Sequence, residues 1–194
     1  YREDHLTPYY QSNHTIVVGG GNVAMDAARC ARRLGKKVTI VYRRSLAEMP
    51  ARKEEVEHAM DEDITFMTLH NPVEIYKDEK GFVKGVKLEK MELGEPDERG
   101  RRSPVPTGEM IDLVCDCVIM ALGTSSNPLL VRSEPRLQTN ARGCLVVNEE
   151  QETTMKNVYA GGDAVSGAAT VILALGAGKK AAASIIKALT PNKA

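Results

Sequence analysis

Two kinds of hydrophobic repeat run along the chain, and the first third shows both. Ile16 to Val18 is a short apolar run that ends at glycines. Val23, Ala27, Ala31 and Leu34 then recur at helical spacing, with Asp26, Arg29, Arg32 and Arg33 on the opposite side. The pattern predicts a strand, a turn and a helix closed by Gly35. Val38 to Tyr42 follows as a β-branched run of the kind buried on both faces of a sheet, which completes a βαβ unit. A helix over 51–62 with a thin stripe of Val56, Ala59 and Met60, and a third strand over 64–69, extend it.

At Pro72 the period changes. VEIYKDEKGFVKGVKLEKMEL alternates apolar and polar residues around a DEKG turn, which predicts an antiparallel hairpin over 72–93. The stretch 94–108, GEPDERGRRSPVPTG, is dense in Pro, Gly and charge and reads as an exposed, partly disordered loop with solvated arginines. LVCDCVIMAL, 113–122, reads as one buried strand that stops at Gly123, where a domain boundary is expected. Beyond it, short strands are expected over 144–147 and 158–160, and one long helix over 168–189. Val171, Ile172, Leu175, Ala182, Ile185, Ile186 and Leu189 form the stripe of that helix. Gly176 and Gly178 inside it each cost about 1 kcal/mol relative to alanine, which points to a close backbone neighbour. The expected fold class is α/β: a Rossmann-like domain with an antiparallel hairpin or meander over 13–122, and a second domain over 123–194.

Composition narrows the partners. The chain has 194 residues, 42% of them hydrophobic, enough for a real core. Lys plus Arg equals Asp plus Glu at 26 each, so no net field draws nucleic acid or an anionic membrane. No apolar run reaches the roughly 18 residues that span a bilayer, and YREDHLTPYY lacks signal-peptide character, so a cytoplasmic setting is expected. The start at Tyr1 fits a piece of something longer. Cys30, Cys115, Cys117 and Cys144 form no CxxC, and the Cys115 and Cys117 thiols read as small buried hydrophobes. His5, His14, His58 and His70 are scattered with no metal or triad spacing, so neither a metal site nor a general acid, base or nucleophile is nominated.

Gly19-x-Gly21-x-x-Ala24 fits the dinucleotide fingerprint in its alanine-ending form. Gly19 makes the tight turn, Gly20 lies within it, Gly21 lets a pyrophosphate approach the backbone, and Ala24 lets helix and strand touch. The helix end at Asn22 and Val23 offers free N–H groups to phosphate. A ligand-free tight turn would match the glycines alone, but the flanking strands and helix favour a nucleotide. At the end of the second strand an NAD site ordinarily carries a carboxylate; this chain has Tyr42-Arg43-Arg44. Two guanidinium groups suit a 2′-phosphate, so NADPH is favoured, with one of the two arginines free to be a strand cap instead and Arg52 a third candidate. A second GxGxxA at 176–181 leaves only 13 residues after it, too few for another βαβ unit, and is set aside. Gly162-Asp163 follows a short strand at a position where open α/β sheets bind ligands, although an aspartate there also serves as a turn or helix cap.

Taken together, VVGGGNVAMDAARCARRLG, VTIVYRRSLAEMPARKEEVEHA, VIMALGTSSNP and NVYAGGDAVSGAATVILALGAGKKAA resemble the small (beta) subunit of NADPH-dependent glutamate synthase and its relatives. These are flavoproteins with two dinucleotide-binding domains. The resemblance implies that 13–122 is the NADPH domain and 123–194 the C-terminal part of the FAD domain. It places Gly19, Gly21, Asn22, Val23 and Ala24 at the pyrophosphate and Arg43 and Arg44 at the 2′-phosphate, with Gly20 and Arg52 as further cofactor-binding candidates. Gly162, Asp163, Ala169, Thr170 and Val171 go to the flavin side, and Gly123 is a further cofactor-binding candidate. The implied reaction is hydride transfer from NADPH to FAD. Electrons then pass through Fe–S clusters, held in an N-terminal part not present here, to the glutamate synthase large subunit or another acceptor protein. A related ferredoxin-type electron-transfer subunit, or a non-catalytic NADP(H)-binding module, are the alternatives. Thioredoxin reductase chemistry is disfavoured by the missing CxxC. With no first glycine fingerprint for FAD, the chain by itself is expected to be inactive.

Overall fold

The structure, a computed structural model, describes residues 10–35, 37–98 and 100–190. His5 therefore lies outside the described residues. Two compact units are present, Tyr1–Leu122 and Gly123–Ala194.

The first unit is built on a four-stranded parallel sheet of order β3-β2-β1-β7, with β1 His14–Val18, β2 Lys37–Tyr42, β3 Thr65–Thr68 and β7 Cys117–Met120. Ile16, Val17, Val38, Ile40 and Val41 are almost wholly buried, which is why these strands read as unbroken apolar runs. Helices α1 (Asn22–Leu34) and α2 (Lys53–Asp61) bring Ala24, Met25, Ala28 and Ala59 onto Val17, Val38 and Ile40. Met60 of the predicted α2 stripe is 42% exposed, and Val56 and Ala59 are the residues of that stripe packed in the core. Ion pairs tie α1 to α2: Arg29 bonds Glu55 and Glu62, and Arg33 bonds Glu62. Held first by its Arg33 hydrogen bond, the Glu62 carboxyl titrates at about 2, below its ordinary 4.5.

A three-stranded antiparallel sheet, order β4-β5-β6, supplies Val86 and Leu88 against Ile16, Val18 and Val41. Its strands are β4 His70–Lys77, β5 Val83–Pro96 and β6 Arg102–Leu113, and the expected hairpin is its first half. The stretch 94–108 is not a loop. Its two ends belong to β5 and β6, which pair as far as Pro96 with Arg102 around a turn where the Asp97 carboxylate accepts the Arg101 N–H. Pro104 and Pro106 fit because β6 is an edge strand, where a missing N–H breaks no ladder.

Residues 113–122 also differ from expectation. Leu113 closes β6, Val114 is 80% exposed, and only Cys117–Met120 forms β7 beside β1. Asp116 marks the handover: its carboxylate accepts the N–H groups of Asn13 and His14. Burial opposes ionisation there, but these bonds outweigh it and hold the Asp116 carboxyl below its ordinary value. Cys115 is buried, with its thiol pushed up by that burial to about 11, whereas Cys117 is only half-buried.

The second unit contains α3 Leu129–Ser133, α4 Asp163–Ser166 and α5 Val171–Leu189. The strands expected over 144–147 and 158–160 are isolated bridges instead, Thr139 with Leu145, Val147 with Thr153 and Glu152 with Tyr159. Helix α5 starts at Val171 rather than 168, because Thr170 caps it by accepting the Leu173 N–H and Gly167 takes φ +78° before it. Gly176 and Gly178 have open space beside them. The close approach is made from the other side: a Cβ on Gly161 would lie 3.0 Å from the Ala177 Cβ, and one on Gly162 3.3 Å from the Ala174 Cβ. Val171, Ile172, Leu175, Ile186 and Leu189 of the predicted stripe are exposed.

Candidate functional site

The β1–α1 turn gives each glycine a different task. Gly19 has φ +145°, and a Cβ on it would fall against the Ala121 carbonyl oxygen and 3.3 Å from the Ala24 Cβ. Gly20 lies under the Tyr42 ring, where a Cβ would come within 2.6 Å. Gly21 has nothing within 4 Å of that position, so its backbone faces open space. The first two glycines are required by the fold itself, and the third is free to meet a ligand.

Gly21 is also the N-cap of α1, and no side chain caps it. The Asn22 and Val23 N–H groups are therefore without partners among the described residues, at the positive end of a 13-residue helix with no acidic residue in its first turn. Val23 is 70% exposed beside the turn, and Ala24 is wholly buried. Arg32 and Arg33 in the last turn complement the dipole at the far end.

Asn22 has a structural duty as well. Its Oδ1 accepts the Arg52 N–H at 2.9 Å, and the Gly20 carbonyl accepts the Ala51 N–H at 3.0 Å. These two bonds latch the start of α2 to the glycine turn and bring the exposed Arg52 to its edge. Its side chain has no partner among the described residues.

The two arginines after β2 have separate environments. Arg43 is exposed, and its side chain has no partner among the described residues. Arg44 is 7% exposed. Its Nε and Nη2 donate to the Arg102 carbonyl at 2.9 and 2.6 Å, and Nη2 lies 3.5 Å from Glu48. Ser45 and Glu48 form a capping box around a short 3-10 turn, Leu46–Glu48, and Tyr42 Oη donates to the Glu48 carbonyl. Pulling Arg44 out to a ligand would break these bonds, at about 0.5–1.5 kcal/mol net for each. Tyr42 and Glu48 carry weight that the sequence reading did not give them. The Ser-x-x-Glu spacing at 45–48 was a visible signal for Glu48; the Arg102 carbonyl, 58 positions from Arg44, had none.

The remaining predicted residues belong to the second unit. Gly162 (φ +66°) precedes α4, and the exposed Asp163 carboxylate caps no backbone group among the described residues. Asp163 lines a cleft of about 590 Å³ with Thr124 to Asn127, Arg142 and Cys144. Gly123, at φ +83°, precedes the first of these loops. Ala169, Thr170 and Val171 are exposed at the start of α5. Among the described residues, no group of three or more His, Cys, Asp or Glu side chains is placed to hold a metal ion.

These features fit a dinucleotide: an open glycine beside a helix start that is uncapped among the described residues, and a guanidinium with no partner among them at the end of the adjacent strand. Comparison with known proteins agrees. The beta subunit of an NADP(+)-dependent formate dehydrogenase from Moorella thermoacetica is 44% identical over 181 residues, 92% of this chain and 25% of that protein. The glutamate synthase [NADPH] small chain of Escherichia coli is 34% identical over 182 residues, 91% of this chain and 39% of that one. Thioredoxin reductase of T. acidophilum superposes with a TM-score of 0.73 at 27% identity, covering 90% of this chain and 52% of that one. The chain thus spans between about a sixth and about half of the length of the relatives it matches. Residues 2–181 match the family described as pyridine nucleotide-disulphide oxidoreductase, a family that binds flavin and pyridine nucleotide, and the chain belongs to that family.

Proposed function

We propose that residues 13–122 form the NADP(H)-binding domain of a two-nucleotide flavoprotein oxidoreductase, and that 123–194 form the C-terminal part of its FAD domain. The observation that carries this reading is the open Gly21 at the start of α1, with Arg43 exposed at the end of β2 and without a partner among the described residues. Gly21, Asn22 and Val23 receive the pyrophosphate on backbone N–H groups, and Arg43 receives the 2′-phosphate, with Arg52 at the edge of the site. When bound, NADPH and FAD supply the hydride chemistry; the chain binds and orients them and contributes no acid, base or nucleophile. In the second unit, Gly123, Gly162, Asp163, Ala169, Thr170 and Val171 are the residues assigned to the flavin.

In the whole protein Fe–S clusters would carry the electrons onward to a partner subunit in the cytoplasm. The glutamate synthase large subunit is one such partner. A different electron-transfer partner is the second reading, supported by the greater identity to the formate dehydrogenase relative. No described helix is long and apolar enough to cross a membrane. Competition with 2′,5′-ADP and 5′-AMP isolates the phosphate contact: 2′,5′-ADP should displace bound NADPH at least about ten-fold better, as a charge-assisted bidentate contact requires. Equal displacement would end the NADP(H) reading.

A further inference from the structure

The two arginines of Tyr42-Arg43-Arg44 invite the same assignment, as a pair of phosphate ligands. Their surroundings separate them. Arg44 is buried, with its guanidinium spent on the Arg102 carbonyl and the Glu48 carboxylate, while Arg43 is exposed and unengaged among the described residues. The acceptor of the Arg44 bonds is itself fixed. Arg102 opens β6, and its own guanidinium donates to the Leu93 and Gly94 carbonyls across the β5–β6 arm. The Arg44 backbone is held too, since its carbonyl accepts the Leu69 N–H at 3.0 Å. On the other side of Arg43, Tyr42 is held by the Glu48 carbonyl and by its ring against Gly20. Among the described residues, Arg43 thus stands as an unclamped side chain between two clamped ones.

We infer that Arg44 is a positioning residue for nucleotide selectivity, fastening the 43–48 turn to the β5–β6 arm so that Arg43 is presented to the 2′-phosphate. The inference rests on the NADP(H) reading and goes one step further, assigning selectivity to Arg43 alone of the pair and giving the arm a part in it. Fixing the backbone on both sides of Arg43 limits the conformations its guanidinium must give up on binding, which is how a residue that never touches the ligand raises affinity for it. A lysine at 44 would keep the charge but could not make both bonds from a guanidinium fork to the Arg102 carbonyl.

The test measures NADPH and NADH affinities of the full chain by calorimetry for the unsubstituted protein, Arg43→Gln, Arg44→Lys and the double variant, with Glu48→Gln as an independent way to loosen the clamp. Arg43→Gln should lower NADPH affinity about ten-fold or more and leave NADH within about two-fold, as loss of a charge-assisted contact predicts. Arg44→Lys and Glu48→Gln should each lower the NADPH-to-NADH ratio about three- to five-fold. The Arg44→Lys effect should vanish in the Arg43→Gln background, the non-additivity expected when one residue acts through another. If the effect of Arg44→Lys persists undiminished in that background, or Glu48→Gln raises NADPH affinity by freeing Arg44, then Arg44 is itself a ligand and the inference is overturned. If Arg44→Lys lowers both cofactors alike, its role is structural only and the inference is also overturned. Should Arg44→Lys fail to fold, Glu48→Gln decides by the same ratio. Equal affinities in the unsubstituted chain would instead sink the NADP(H) reading and carry the inference with it.

Discussion

Gly19 and Gly21 sit two residues apart and should respond to the same substitution in opposite ways. Gly19→Ala combines a positive φ with a clash against the Ala121 carbonyl and should cost about 3 kcal/mol of stability, read as a lowered thermal midpoint. Gly21→Ala meets nothing, so stability should change by less than about 1 kcal/mol while NADPH affinity falls about ten-fold. A stable Gly21→Ala variant with unchanged NADPH affinity would remove Gly21 from the site. The cysteines allow a second test at this scale. Cys30 is exposed and Cys115 is buried with its thiol at about 11, so alkylation at mildly alkaline pH should modify Cys30 in the folded chain and Cys115 only after unfolding.

Among the elements, the α1–α2 contact carries a pH dependence. The Glu62 carboxyl is depressed to about 2 by Arg33 and Arg29, so the stability it lends is complete above the ordinary carboxylate range near 4.5 and is lost as pH falls toward 2. Glu62→Gln should lower the thermal midpoint at neutral pH and flatten its fall between those values; an unchanged acid limb would mean that other carboxylates govern it. The β1–α1–β2 unit was legible in the sequence because apolar runs and glycine spacing are local signals. The β5–β6 arm was not, because an exposed edge strand tolerates the prolines, glycines and charges that ordinarily mark a loop. The start of α5 was misplaced for a similar reason: Ala168 and Ala169 continue the helical composition, and only the Thr170 cap and the positive φ of Gly167 exclude them. In the candidate site, the tight turn at Gly19 followed from spacing. The division between Arg43 and Arg44 depends on a carbonyl 58 residues away, which no local pattern reveals.

For the whole molecule, the exposed Val171, Ile172, Leu175, Ile186 and Leu189 leave α5 with an uncovered apolar face, 58–84% exposed at each position. Such a face should bind a hydrophobic fluorescent dye, and replacing Ile172 and Leu175 by Gln should reduce that signal with little loss of secondary structure. Among the described residues, one glycine fingerprint is set in a strand–turn–helix, and it belongs to the first unit. The purified chain should therefore take up NADP(H) yet show no flavin absorbance, whereas a yellow preparation would place an FAD site within these residues. The central claim is that the glycine turn and Arg43 form a site for NADP(H) rather than NAD(H). Calorimetric titration of the unsubstituted chain with NADPH and then NADH tests it most directly. The account predicts NADPH binding tighter by about ten-fold or more; equal affinities, or a preference for NADH, would contradict it.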